Sequence, residues 1–206
     1  MKKKTIAVFH LLLIFLITSC NSSPAYIPHN GDIIFQTSRS SQSLAIQRAT
    51  HSPYSHMGIV YVESGKPFVY EAVQQVKLTP LEDWEKRGEG GRFVVKRLMD
   101  ADRLLTSSNL EKLKTEGQKF KGKSYDLYFD WSDDKIYCSE LVWKIYQRAL
   151  GVEIGKTQFL RDFDLSDPIV MKKIQELWHG PPPKDEVVIS PAAMFESDKL
   201  VTIYSH

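Results

Sequence analysis

The chain has 206 residues, 42% of them hydrophobic, with 27 basic against 25 acidic side chains and only two cysteines. That apolar content belongs to a globular protein rather than a disordered one, and the length fits one domain with a substantial core. Lys2, Lys3 and Lys4 belong to an N-terminal leader; without these three, 24 basic residues face 25 acidic ones. So even a balance gives no electrostatic ground for a nucleic-acid partner.

The leader continues as an apolar run from Thr5 to Ile17, interrupted only by His10. It is shorter than the roughly 20 residues a membrane span requires, and it has the charged start, short apolar middle and small-residue end of a secretory signal. Residues 1–19 are therefore expected to be a signal peptide. Its end, Ile17-Thr18-Ser19-Cys20, resembles the lipobox of bacterial lipoproteins, which makes Cys20 the expected lipid-attachment residue and the membrane a partner through that anchor. Asn21 does not match the aspartate that holds such proteins in the inner membrane, so the expected address is the outer membrane, facing the periplasm.

Residues 20–30, with Pro24 and Pro28 and no periodicity, read as a tether to a domain over 31–206. Ile33-Ile34-Phe35 is a short buried strand. Ser38 to Thr50 reads as a helix with Leu44, Ile46 and Ala49 on its apolar side. Tyr54 to Val62 and Pro67 to Val73 read as strands joined by a turn at residues 63–66, hence antiparallel. Thr79-Pro80-Leu81-Glu82 has the spacing of a capping box ahead of a helix to about Arg87. Phe93 to Leu98 is another strand. Helices are expected over Thr106 to Phe120, Cys138 to Leu150 with Gly151 as its stop, Pro168 to Trp178 with Asp167 as cap, and a capped turn or helix over Ser190 to Phe195. Helices and strands without a βαβ rhythm make the fold class α+β.

Cys138 is the one cysteine left in the mature chain, so it has no intramolecular disulfide partner. At a helix start its sulfur would meet unpaired N–H groups and the positive end of the helix dipole, both of which favour thiolate, the nucleophilic form. The stripe Cys138, Val142, Ile145 and Ala149 also permits a buried, inert thiol. A nucleophile needs a base. Of His29, His51, His56, His179 and His206, only His56 lies inside a strand pattern, and Gly58 on the same face leaves room for an approaching group. A satisfied structural histidine is the plainer reading of such a residue. Glu71 interrupts the neighbouring apolar strand. If the turn is centred on residues 63–66, facing residue numbers sum to about 129, and Glu71 lies within diagonal reach of His56, where a carboxylate can orient an imidazole. Otherwise Glu71 is an exposed edge-strand glutamate. His51 and His56 lack zinc-protease spacing and no ligand cluster accompanies them, so neither metal nor cofactor is expected.

The strings Gly31-Asp32-Ile33-Ile34-Phe35, Tyr54-Ser55-His56-Met57-Gly58, Tyr70-Glu71-Ala72, Gly122-Lys123-Ser124-Tyr125-Asp126 and Tyr137-Cys138-Ser139-Glu140-Leu141-Val142, together with Phe129-Asp130-Trp131-Ser132-Asp133-Asp134, resemble the circularly permuted, papain-like form of the NlpC-type cysteine hydrolases, in its YiiX/YebB-like group. The resemblance implies a permuted papain-like fold, an antiparallel sheet against helices with the nucleophile at a helix N-terminus. It also implies a catalytic set of Cys138, His56 and Glu71, with Tyr125 near the nucleophile as a candidate oxyanion donor. Ordinary members place the cysteine first and have aspartate where Tyr137 stands. The activity expected is cleavage of an amide, a cell-wall peptide bond by the family's habit, through an acyl-enzyme. The alternatives are an acyl-ester or lipid hydrolase or acyltransferase, for which the aromatics Tyr125, Tyr128, Phe129 and Trp131 could line a pocket, and a non-catalytic binding lipoprotein. The expected substrate is thus a peptide-like or lipid-like component of the envelope.

Overall fold

The computed structural model describes residues 25–206 except His179; the expected signal peptide and Cys20 lie outside these. In chain order the elements are β1 (Ile33–Gln36), α1 (Ser43–Thr50), β2 (His56–Glu63), β3 (Lys66–Ala72), β4 (Val76–Pro80), α2 (Leu81–Lys86), β5 (Val94–Leu98), α3 (Ala101–Leu104), α4 (Ser107–Gln118) and α5 (Cys138–Leu150). There follow β6 (Gln158–Phe159), α6 (Pro168–Leu177), β7 (Val187–Val188), α7 (Pro191–Phe195) and β8 (Leu200–Ser205). Six strands form one antiparallel sheet in the order β4-β3-β2-β1-β5-β8, and β6 pairs with β7 apart from it.

Alternation along the strands gives the sheet two apolar faces. Ile33, Phe35, Met57, Ile59, Tyr61 and Tyr70 meet Leu113 of α4 and Leu141, Val142 and Ile145 of α5 in the larger core. Ile34, Val60, Val69 and Val95 take the other face, under Trp84 of α2 and Phe93. The apolar stripe read from α5 faces the first of these cores. Its boundaries, Cys138 and Leu150, agree with the sequence reading, and Gly151 ends it in the left-handed region at φ 68°. Thr106 caps α4, Asp167 caps α6 and Ser190 caps α7, each through its side-chain oxygen.

The turn Ser64-Gly65 sets the β2/β3 register as expected: Ile59 faces Tyr70 and Val60 faces Val69, pairs whose numbers sum to 129. Elsewhere the structure corrects the sequence reading. Helix α1 starts at Ser43 rather than Ser38, because the Ser38 amide is taken by the Ser55 hydroxyl at 2.9 Å and Ser38 bridges to Gly88. Leu44, assigned to its apolar side, is exposed. Thr79 caps nothing. It lies in β4, a strand the sequence did not announce, and its hydroxyl points back across the sheet. Strand β8 and helix α3 were likewise not anticipated. The folded domain begins before residue 31: Tyr26 packs on Phe93 and Tyr204, and its hydroxyl donates to Asp32 at 2.7 Å. Asp32, fully buried, takes both Arg97 Nε at 2.6 Å and Arg97 Nη2 at 2.9 Å, which ties the chain's entry to β5.

Candidate active site

Tyr137 precedes α5 in an extended conformation, so Cys138 is the first helical residue and its sulfur lies beside the free amides of the first turn. The backbone N–H groups of Ser139 and of Met57, at the start of β2, favour its thiolate form. His56 is the first residue of β2, and with Gly58 and Val60 it takes the face toward α2, where its ring lies beside the Trp84 indole at a centroid distance of 6.1 Å. The thiol arrives from the α5 side and meets the ring at the strand end. His56 Nε2 is hydrogen-bonded to Glu71 Oε2 at 2.6 Å, which leaves Nδ1 for the sulfur.

Glu71 is fully buried, and β3 is interior to the sheet, between β2 and β4, so the exposed edge-strand reading does not hold. Its second oxygen accepts the Thr79 hydroxyl at 2.6 Å and the Arg87 guanidinium. Both carboxylate oxygens are therefore fixed. Gly58 does leave room, though the room is filled by the protein itself. A Cβ there would lie 2.5 Å from Val69 Cγ1, 2.8 Å from the Tyr70 carbonyl oxygen and 3.3 Å from Glu71 Cβ. The glycine lets β3 close on β2 so that Glu71 reaches His56. Gly58→Ala is expected to cost about 1–3 kcal/mol through overpacking and to lower kcat by loosening that contact. A thermal melt and an activity assay check both, and a variant as stable and active as the parent would refute this account.

Burial alone would lower the His56 pKa. The hydrogen bonds and negative charges of Cys138 and Glu71 outweigh it and raise the value to about 9. Burial alone would raise the Cys138 pKa, but the bond to His56, its positive charge and the two backbone amides bring it below the ordinary thiol value. Glu71 is likewise held below the usual carboxylate range: burial opposes this, and His56, Arg87 and Thr79 prevail. Each shift favours the charged form: thiolate, imidazolium and carboxylate.

Tyr125 is half-buried beside Cys138; burial and the sulfur's charge push its pKa well above the ordinary tyrosine value. The carboxyl of Asp126 accepts the amides of Tyr128 at 2.9 Å and Asp130 at 2.6 Å, shaping the following loop. Lys144, buried in α5, clamps that loop by donating to the Ser132 carbonyl oxygen at 2.8 Å and pairing with Asp133 at 2.9 Å and Glu140 at 2.7 Å. Glu140 is thus tied to Lys144 within its own helix. Its other oxygen accepts the Tyr137 amide at 3.4 Å, and burial raises its pKa, against Lys144, to about 8.

Two cavities meet at this centre. One, lined by Cys138, lies between α1 and α6 and is almost wholly apolar; the other, lined by His56, is mixed, with Gln36, Gln74, Arg39 and Arg87 among its walls. Gln42, Ile46 and Tyr125 line both and so form the divide. Gln42 Nε2 is buried without a hydrogen-bond partner, as are both amide atoms of Gln36, which is 1% exposed. Sequence reasoning missed Thr79, Arg87, Gln36 and Gln42. Gln36 lies just past a predicted strand and Gln42 within a predicted helix, and neither position carries a motif. His51 is exposed near Asp164, while His29 lies before β1 and His206 beyond β8.

A thiol at a helix start, a strand histidine and a buried carboxylate, in the chain order His, Glu, Cys, define the class: a papain-like cysteine hydrolase with its sequence permuted. Comparison with known proteins gives the particular family. Residues 27–204 match the model of the permuted papain-like amidase enzymes, YaeF/YiiX, C92 family, and the chain belongs to that family. It is 47% identical over 193 residues to "Uncharacterized protein YiiX" of Escherichia coli (strain K12), covering 94% of each chain. The crystal structure of "metalloprotein yiiX" from Escherichia coli O157:H7 superposes with a TM-score of 0.84 at 48% identity, over 88% of this chain and 99% of that one.

Proposed function

We propose that this protein is a thiol amidase in which Cys138 is the nucleophile, His56 the acid and base, and Glu71 the residue that orients His56. The observation that carries this reading is the buried His56 bridging Cys138 and a Glu71 whose other oxygen is fixed by Thr79 and Arg87. The thiolate attacks the amide carbonyl carbon, and negative charge moves to the carbonyl oxygen. The Cys138 backbone N–H, the Tyr125 hydroxyl and the unpaired Gln42 Nε2 are the donors available to that oxyanion. The His56 imidazolium gives its proton to the departing nitrogen as the C–N bond breaks, leaving a thioester and a free amine. Neutral His56 then takes a proton from water, which attacks the thioester and releases the acid and the thiolate, with the imidazolium restored.

Alkylation by iodoacetamide at pH 6, followed by peptide mass spectrometry, tests the reading. The parent protein is expected to be modified at Cys138 in its folded state, and His56→Ala much more slowly. A Cys138 that reacts only after unfolding would instead match the non-catalytic binding lipoprotein. The neighbour's name speaks of a metal. Here, no group of three or more His, Cys, Asp or Glu side chains is placed to share an ion among the described residues, and both oxygens of Glu71 are engaged. The donor set at Cys138 does not fit a metal, and no step above runs through one.

The expected site of action is the cell envelope, at the periplasmic side of the outer membrane, with lipid on Cys20 as anchor. Its support is the Ile17-Thr18-Ser19-Cys20 sequence after a short apolar run. Metabolic labelling with an alkyne fatty acid is expected to mark the parent and spare Cys20→Ala, and equal labelling of both would defeat the assignment. Cell-wall peptides are the substrate suggested by family habit, and they serve as the competing substrate in the test that follows.

A further inference from the structure

We infer that the substrate is a long-chain N-acyl amide, its acyl chain lying in the apolar cavity at Cys138 and its polar amine-side head in the cavity at His56. This rests on the thiol-amidase reading and specifies which side of the scissile bond each cavity receives. In acyl transfer the acyl group stays on the sulfur while the leaving amine takes its proton from the histidine. The cavity that contains Cys138 must therefore hold the acyl part, and the cavity that contains His56 the amine part.

The acyl side is a narrow apolar cleft with about 110 Å³ of free interior space, open at its mouth. Its walls are Ala45 and Ala49 of α1 and Val170, Ile174 and Leu177 of α6. The hydroxyls in its lining are already satisfied: Ser139 donates to the Ile189 carbonyl oxygen at 2.8 Å, Thr50 donates to that of Ile46 at 2.8 Å, and Ser190 caps the Ala193 amide at 3.0 Å. Lys173, the one charged residue there, has its ammonium on Glu176 at 2.5 Å. A peptide entering on this side would lose water from its amides and find one unpaired side-chain amide, Gln42 Nε2, at the divide, whereas an alkyl chain loses nothing. The amine side is mixed rather than apolar. Gln36 presents a buried carboxamide with no partner, beside Arg39, Arg87 and a row of serines, so a head with donors and acceptors would satisfy groups that the fold leaves open.

p-Nitrophenyl acetate and p-nitrophenyl decanoate, each below its micelle concentration, separate the two levels of the argument when thioester formation at Cys138 is followed by intact-protein and peptide mass spectrometry. Each buried methylene is worth roughly fourfold, so the decanoate is expected to acylate Cys138 at least about 100-fold faster than the acetate. No adduct from either ester would overturn the thiol-amidase reading itself. Adducts from both at similar rates would leave that reading standing and overturn the acyl cavity. Ala49→Trp, which fills the cavity, is expected to reduce the chain-length gain below about tenfold; an undiminished gain in a folded variant overturns the assignment. Should that variant not fold, protection of the parent protein decides. Decanoate, and not acetate, is expected to slow alkylation of Cys138 by iodoacetamide, and equal protection counts against the proposal. For the head, N-decanoylglutamine is expected to have at least a tenfold higher kcat/KM than decanoyl-butylamide, a preference that Gln36→Leu largely removes. Equal turnover of the two amides by the parent, or faster cleavage of a muropeptide than of either, would overturn the inference.

Discussion

Cys138→Ala is expected to fold, to melt within a few degrees of the parent, and to hydrolyse no amide above background. The thermal expectation follows from what the substitution removes: one sulfur atom at a helix start, with Val142 and Ile145 still packed below it. The chemical expectation follows from the mechanism, because the acyl intermediate forms on the Cys138 sulfur. Loss of a nucleophile acting within such a set costs on the order of 10⁴–10⁶ in kcat. Cys138→Ser refines the test, since a hydroxyl fills most of the same space while a buried serine beside an imidazolium does not ionise at neutral pH. A folded Cys138→Ala protein that keeps full activity would rule out thiol catalysis.

The pH profile and the paired substitutions at Glu71 and His56 form the second test. In the proposed mechanism the active form has Cys138 deprotonated and His56 protonated. As pH falls through the Cys138 pKa, which lies below the ordinary thiol value, the thiolate is lost; as it rises through about 9, the imidazolium is lost. The profile of kcat/KM should therefore be a bell with its alkaline limb near pH 9, describing the pair rather than either residue alone. Activity that climbs without a maximum through pH 10 would contradict the ion pair. His56→Ala is expected to lose at least about 10⁴ in kcat, and Glu71→Gln less, about 10²–10³. An amide at position 71 still accepts from His56 Nε2, but it gives up the charge and turns an NH₂ group toward Thr79 or Arg87, which themselves donate. That mismatch should also cost roughly 1–3 kcal/mol of stability. Glu140→Gln provides the contrast. Glu140 is engaged with Lys144 and the Tyr137 amide, so its loss should lower stability with little change in the bell. If Glu140→Gln abolished turnover while Glu71→Gln did not, the orienting carboxylate would be Glu140.

The sequence by itself determined what depends on local spacing. Helix α5 could be placed from its apolar stripe and Gly151, and the caps at Asp167 and Ser190 from residue type. The β2/β3 register followed from turn length alone, because a short hairpin turn leaves the two strands one pairing, and that pairing put Glu71 within reach of His56. The tertiary structure decided whatever needs partners distant in the chain. Thr79 has the spacing of a helix cap, yet β4 pairs with β3 and carries its hydroxyl to Glu71. Ser38 looks helical, yet Ser55 takes its amide. Tyr26 looks like tether, yet Phe93 and Tyr204 hold it. Arg87, Gln36 and Gln42 carry no motif, because their significance comes from cavities closed by elements far apart in sequence. A hydrogen bond or cavity wall formed across the fold leaves no periodic trace in the chain, whereas a helix face or a hairpin turn does.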